Sequence, residues 1–173
     1  MAQGISAQGG RSLHPPDVAA RHAREHGAML KTGSIAIDAE RAFARAARAR
    51  RRAALARRLR GEAAECGLLA VYDRALRHGA GSHRGVREIP LAAIQGTVEP
   101  SRAVLFDRCF RPRPAARSRW QRIWLADHRA VLPPISVVPV EGGYAVLDGH
   151  HRVSVARARG ALTIDATVEA DLT

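Results

Sequence analysis

Five residues, DGHHR at 148–152, follow an apolar run and precede a segment with a helical pattern. At the start of a helix, the first backbone N–H groups have no intrahelical partner and the positive end of the helix dipole favours an anion. Gly149 permits a sharp turn and close approach of a ligand to the backbone, and Arg152 offers a planar cation suited to phosphate oxygens. His150 and His151 add donors that strengthen at lower pH. The sequence therefore predicts an anion site at this strand-to-helix junction.

Two other interpretations of the junction stay open. In the first, Asp148 caps the helix, Gly149 makes the turn, and the remaining side chains are solvated polar groups at a helix start. In the second, His150 and His151 bind a metal ion. Neighbouring residues on a helix point about 100° apart, which disfavours a two-histidine chelate without other ligands.

The second half of the chain contains the elements that must position this junction. Alternating apolar residues predict strands at 86–94 (a strand and turn), 135–140, 142–148 and 163–170, with a turn at 141–143. Apolar spacing predicts helices at 118–131 and 152–160. The order β–α–β–β–α–β predicts an α+β fold: a small mixed β-sheet with short helices, preceded by an Arg/Ala-rich helical arm.

The longer of these helices has an amphipathic pattern. Ser118 is the expected N-cap, because its hydroxyl can accept from a free amide of the first turn. We expect four apolar side chains to turn inward: Trp120, Ile123, Trp124 and Val131. This helix is predicted to cover part of the core.

The first half of the chain differs from the second in composition and in hydrophobic pattern. Residues 1–35 form a leader without sustained periodicity, apart from one short helix near 16–26. Residues 36–79 form a basic helical region with one helix at 38–60 and another at 68–79, and residues 80–85 form a linker to the domain at 86–173. We expect the first helix to pack lightly, through a narrow stripe of Phe43, Ala47, Leu55 and Leu59.

Charge is concentrated in the basic helical region. The formal net charge is +12, and residues 1–85 hold 16 Lys+Arg against 7 Asp+Glu. Such a balance favours an anionic partner, and DNA is the first candidate. A general bias toward arginine would produce the same charge, because Lys31 is the one lysine of the chain. The candidate contacts are Arg41, Arg45, Arg48 and Arg52. A solvated helix, or pairing between two subunits as a homodimer, is the open alternative.

The cysteines and the chain start favour the cytoplasm. Cys66 and Cys109 are 43 residues apart, so they suggest neither a C-x-x-C pair nor a disulfide framework. We expect both to be buried or half-buried small residues. No stretch approaches the roughly 18 consecutive apolar residues of a membrane span, and the first residues have no apolar signal-peptide core.

The segment at 132–168 resembles the nucleotide-binding core of the ParB/sulfiredoxin-like superfamily. The likeness lies in the strand PPISV, the hairpin, the turn DGHHR, the Ala-containing helix and the glycine after it, and in EPSR at 99–102 upstream. It covers about residues 86–171 and implies a nucleotide ligand (CTP, ATP or ADP), together with Mg²⁺. By this resemblance, the phosphates bind Gly149, His150, His151, Arg152 and Arg102, and the base or sugar lies beside Pro134 and Ile135.

Departures within the superfamily leave the activity open. Sulfiredoxins have a cysteine where this chain has His150, so we do not expect sulfinic-acid repair. Free-serine kinases also resemble the DGHHR stretch, which implies that Glu99 acts as a base and that Asp148 helps to hold substrate or Mg²⁺. The alternatives to a ParB-like nucleotide-binding protein are therefore a small-molecule kinase, a nucleotide hydrolase, or a plain DNA-binding protein that acts through the basic helix.

Overall fold

The structure, a computed structural model, describes residues 33–73 and 85–169. The predicted leader helix near 16–26 and most of the predicted linker lie outside these ranges. Within these two ranges there are four α-helices: α1 (Ile35–Leu59), α2 (Pro100–Ala103), α3 (Arg117–Arg129) and α4 (His150–Arg159). Six strands accompany them: β1 (Ala70–Val71), β2 (Val86–Pro90), β3 (Ile94–Thr97), β4 (Ile135–Val140), β5 (Gly143–Asp148) and β6 (Thr163–Val168).

The six strands form one mixed sheet in the order β1-β3-β5-β4-β6-β2. The pairs β1–β3, β3–β5 and β4–β6 are parallel, whereas β4–β5 and β6–β2 are antiparallel. This mixed sheet with flanking helices confirms the predicted α+β class. Strands β1 and β3 were not predicted.

The β4–β5 hairpin lies at the centre of the sheet and delivers the chain to the junction at 148–152. Gly142, with φ of 75°, makes its turn in the left-handed region that favours glycine. Successive residues of β4 enter opposite core clusters, because side chains alternate along a strand: Val137 joins one and Val138 the other. Core clusters on both faces of the hairpin therefore fix the position of β5 in the sheet.

Helices α1, α3 and α4 share a separate cluster built around two tryptophans. The rings of Trp120 and Trp124 stack with centroids 5.2 Å apart, and Phe43 of α1 meets Trp120 edge-on at 5.5 Å. The buried indole N–H of Trp120 donates to Ser154 Oγ of α4 at 2.9 Å. The predicted inward positions of Trp120 and Trp124 are confirmed.

Several local predictions are wrong. Ala116 occupies the N-cap of α3, so Ser118 does not cap it, and Val131 lies beyond the helix with 87% exposure. Residues 68–73, predicted as helix, form a bridge and the short strand β1, because Ala70 and Val71 pair with β3. Cys109, expected to be buried or half-buried, is exposed.

The stripe predicted for α1 is half right. Phe43 and Ala47 are buried, together with Ala39 and Ala42, whereas Leu55 and Leu59 point into solvent. The buried apolar residues therefore lie in the first half of the helix, where α3 and α4 cover them, whereas the buried residue of the second half is Arg57. Among the helices of residues 33–73 and 85–169, none has the length and apolarity of a membrane span.

Candidate anion site

Gly149 makes the turn from β5 into α4, as predicted. Its φ is 101°, and a Cβ atom built on it would lie 2.5 Å from Ile135 Cγ2. The first backbone hydrogen bond of the turn runs from Val153 N to Gly149 O, so the amides of residues 150–152 precede the helical ladder. Three N–H groups thus begin α4 without an intrahelical acceptor.

A buried hydroxyl ties this turn to the end of β3. Thr97 Oγ1 lies 3.0 Å from Val146 O, 2.8 Å from the amide nitrogen of Glu99 and 2.6 Å from His150 Nε2. A hydroxyl has one proton, and the carbonyl of Val146 can only accept it. All three contacts are satisfied when Thr97 donates to Val146 and accepts from both nitrogens. His150 is then the Nε2–H tautomer.

The two histidines lie in the floor of the site, not at its surface. His150 is 3% and His151 7% exposed. Phe106 covers both: its ring stacks on His150 at 6.4 Å and meets His151 edge-on at 5.1 Å. Burial is the main cause and nearby arginines a smaller one, and together they lower the pKa of each imidazole to about 4. Both rings are therefore neutral at pH 7, and they do not act as the exposed, titrating donors that the sequence suggested.

A small concavity opens above this floor. Its lining comes from three helices and the turn: Arg102, Arg119, Ile123, Asp148, Gly149, His150, His151 and Arg152. Arg102 and Arg152 thus face the same concavity, as the predicted anion site requires. Three arginines and one carboxylate line it, so its charge is positive at pH 7.

The guanidinium of Arg152 is already engaged. It donates to Asp148 Oδ2 at 2.6 Å, to Pro134 O at 2.6 Å and to Pro133 O. The side chain is 14% exposed, whereas that of Asp148 is 70% exposed. Arg152 therefore fixes the entry to β4 and adds positive charge to the site, while Arg102 and Arg119 are the exposed arginines in its lining.

The other predicted site residues do not line the concavity. Ile135 is fully buried beneath Gly149, and Pro134 contributes its carbonyl to Arg152. Glu99 is half-buried at the N-cap of α2, where its amide donates to Thr97. A base or sugar would therefore not touch the side chain of Ile135 in this conformation.

Sequence reasoning missed the contribution of α3. Arg119 lines the concavity, and Arg119 and Arg122 both lower the pKa of His151. They are three residues apart on the polar side of an amphipathic helix, which identifies them as solvent-facing but not as neighbours of residues 148–152. Only the packing of α3 on α4 brings them there.

The residues of the site fit Mg²⁺ only as an ion delivered with phosphates. Asp148 is the one carboxylate in the lining of this concavity, and it is paired with Arg152. Among the described residues, no group of three or more His, Cys, Asp and Glu side chains converges to hold a metal ion. Phosphate oxygens would have to supply the remaining ligands.

The four arginines predicted to contact nucleic acid lie on the exposed side of α1, away from this site's lining. Arg41, Arg45, Arg48 and Arg52 are all exposed. At 100° per residue they fall within about 60° of one another around the helix and span about 16 Å along it. They form a single basic row.

Comparison with known proteins gives a limited result. No protein-family model matches the chain, and no curated protein matches it. Among solved structures, the crystal structure of sulfiredoxin from Arabidopsis thaliana is similar, with 20% identity, a TM-score of 0.37, and coverage of 50% of this chain and 86% of that chain. The α+β class rests on this chain's own strand pairing.

Proposed function

We propose that the protein binds the phosphate groups of a nucleotide at the start of α4. The observation that carries this proposal is the concavity in which Arg102 and Arg119 meet the first turn of α4. Backbone amides at a helix start and guanidinium groups are both donors to phosphate oxygens. The terminal phosphates would lie in the concavity, and the rest of the nucleotide outside it.

The electrostatics of the floor support an anionic ligand. Arg102 lowers the pKa of both histidines, and Arg119 and Arg122 lower that of His151. Burial is the larger cause of both shifts, and the arginine contributions report a positive potential that Asp148 offsets only in part. A bound phosphate would neutralise it, which stabilises the complex and raises the pKa of His151.

Titration with CTP, ATP and ADP in the presence of Mg²⁺ tests the proposal. We expect saturable binding that weakens about tenfold or more in Arg102→Ala or Arg119→Ala, since each change removes a charge-assisted contact. Arg129→Ala is the matched control, because Arg129 is an exposed arginine on α3 that does not line the concavity. No saturable binding, or equal affinity in all three variants, would refute the proposal.

Phosphoryl transfer to a small molecule, or nucleotide hydrolysis, is the alternative activity of the same site. It is supported by Glu99, a half-buried residue whose backbone amide is linked to the α4 turn through Thr97 and His150. One carboxylate near the acceptor is sufficient for this chemistry. Incubation with ATP and free serine should then give phosphoserine, and with ATP alone should give phosphate. Product formation that survives Glu99→Gln would exclude Glu99 as the base.

Contact with DNA through α1 is a second candidate function. The row of Arg41, Arg45, Arg48 and Arg52 supports it, because regularly spaced cations suit a phosphate backbone. Affinity for a DNA duplex is measured as a function of salt. Arg41→Glu together with Arg48→Glu should flatten the salt dependence, and an unchanged slope would exclude the row.

A further inference from the structure

The exposed side of α1 continues past its arginines into two leucines. Six residues follow one another in steps of four and three: Arg41, Arg45, Arg48, Arg52, Leu55 and Leu59. This alternation is that of the a and d positions of a coiled coil, so the six side chains form one seam about 27 Å long. We refer to these six residues as the outer seam.

The two leucines of the outer seam are open to solvent. Leu55 is 57% and Leu59 80% exposed. The opposite side of α1 holds the buried residues, including Phe43 and Ala47, which pack against α3 and α4. The outer seam therefore points away from the core cluster, with an apolar end that no part of the cluster covers.

We propose that the outer seam docks an acidic, amphipathic helix of a partner protein. Carboxylates at the partner's seam positions would meet the four arginines, and its apolar side chains would cover Leu55 and Leu59. Charge complementarity is strong, because α1 carries eight arginines against two acidic residues, Asp38 and Glu40.

The leucines discriminate between this partner and a nucleic acid. A phosphate backbone matches cations, but it offers nothing to cover two adjacent apolar side chains, which would stay in water. An amphipathic helix can place carboxylates against the arginines and apolar side chains against the leucines at the same time, because its a and d positions have the same spacing as the outer seam. The proposal thus goes beyond nucleotide binding at α4 and does not depend on it.

A second copy of this chain does not fit the outer seam. Parallel pairing would place arginine opposite arginine at four levels, and like charges in that position repel. Antiparallel pairing would place arginines against the partner's Leu55 and Leu59, leaving the leucines without apolar contacts. A different, acidic chain is required.

The test uses synthetic helical peptides with glutamate at four seam positions and leucine at two. Two versions place the leucines at the C-terminal or the N-terminal end, so that parallel and antiparallel docking are both sampled. A third replaces the two leucines by glutamine. Binding to the full-length protein is followed by fluorescence anisotropy near physiological salt, with a DNA duplex as competitor.

One of the two leucine-containing peptides should bind saturably. Leu55→Gln with Leu59→Gln should weaken its binding about tenfold, and Arg41→Glu with Arg48→Glu should do so by more. Leu162→Gln and Arg58→Glu are matched controls, since both residues are exposed and lie outside the outer seam; they should leave the affinity unchanged.

Three results would overturn the proposal. The first is equal affinity for the peptides with leucine and with glutamine, or no binding of either leucine peptide. The second is tighter binding of the DNA duplex than of the peptide, unaffected by the leucine variants. The third is a concentration-dependent dimer in sedimentation that Leu55→Gln with Leu59→Gln dissolves. Arg102→Ala, which changes the lining of the α4 site and not the outer seam, should not change peptide binding.

Discussion

Thr97 Oγ1 lies 2.6 Å from His150 Nε2, and this buried contact joins the end of β3 to the start of α4. The same hydroxyl accepts from the amide of Glu99, so it fixes the loop before α2 as well. One side chain therefore holds two parts of the site in place. The first is the loop and helix that carry Glu99 and Arg102, and the second is the turn at the start of α4. The geometry of the candidate site depends on it.

Thr97→Val should destabilise the protein. Valine has the same shape but leaves the Glu99 amide and His150 Nε2 without a partner, which costs about 2–3 kcal/mol of unfolding free energy. Thr97→Ser retains the hydroxyl and loses one buried methyl, at about 1 kcal/mol. Urea denaturation of the three proteins measures this. Equal stability of the valine and serine variants would show that the hydroxyl network contributes nothing.

Stability should fall as the pH decreases from about 6.5 toward 4. The folded pKa of His150 and of His151 is about 4, against 6.5 for an ordinary histidine. Between pH 4 and 6.5 the unfolded chain binds protons that the folded chain does not, so the unfolding free energy rises with pH. Above pH 6.5 both histidines are neutral in both states, and their burial no longer lowers the stability. Urea midpoints between pH 4 and 7.5 give the slope.

Replacing both histidines by a neutral residue separates their contribution to the pH dependence from that of the carboxylates, which titrate in the same range. His150→Gln with His151→Gln should flatten the slope, because no buried imidazole remains to be protonated. His128→Gln, at an exposed position, is the control and should leave it unchanged. A double variant with the slope of the unmodified protein would contradict burial as the cause.

Gly149→Ala should be far more costly than Gly160→Ala. Both glycines have positive φ, 101° and 77°, so alanine is strained at each by about 1 kcal/mol. At 149 the new methyl also meets Ile135 Cγ2, whereas at 160 nothing lies within 4 Å. We expect at least about 2 kcal/mol at 149, since Ile135 is buried in the core and cannot move away freely. Thermal unfolding of the two variants compares them.

The sequence was sufficient for elements with a strong internal pattern. The alternation in ISVVPV marked β4, and the apolar spacing around Trp120 and Trp124 marked α3. Strands β1 and β3 have two and four residues, and Gly96 interrupts β3, so neither has a pattern of its own. They exist because neighbouring strands supply their hydrogen bonds, and that is a tertiary effect.

The candidate site likewise has a part that the local sequence predicts and a part that it does not. The turn at Gly149 follows from the local sequence DGHHR, because a glycine between a strand and a helix permits the positive φ. The burial of His150 and His151 depends on Phe106, more than forty residues away, and the role of Arg119 depends on how α3 packs on α4. No local pattern contains those contacts.

Asp148→Asn should increase the affinity of the site for a phosphorylated ligand. The change removes the one carboxylate in the lining and releases a guanidinium nitrogen of Arg152 that Asp148 now binds at 2.6 Å. We expect several-fold tighter binding of ADP, with little loss of stability, because an ion pair with an exposed carboxylate contributes about 0–1 kcal/mol.

Glu141→Gln provides the matched control for this gain. It removes the same charge at an exposed turn outside the lining of the site, so it reports the effect of net charge alone. Isothermal titration with ADP, with and without Mg²⁺, compares the two variants. An affinity that falls in Asp148→Asn only when Mg²⁺ is present would show that this carboxylate holds the metal–phosphate complex. The kinase-like role implied by the sequence resemblance would then replace the electrostatic role argued from Arg152.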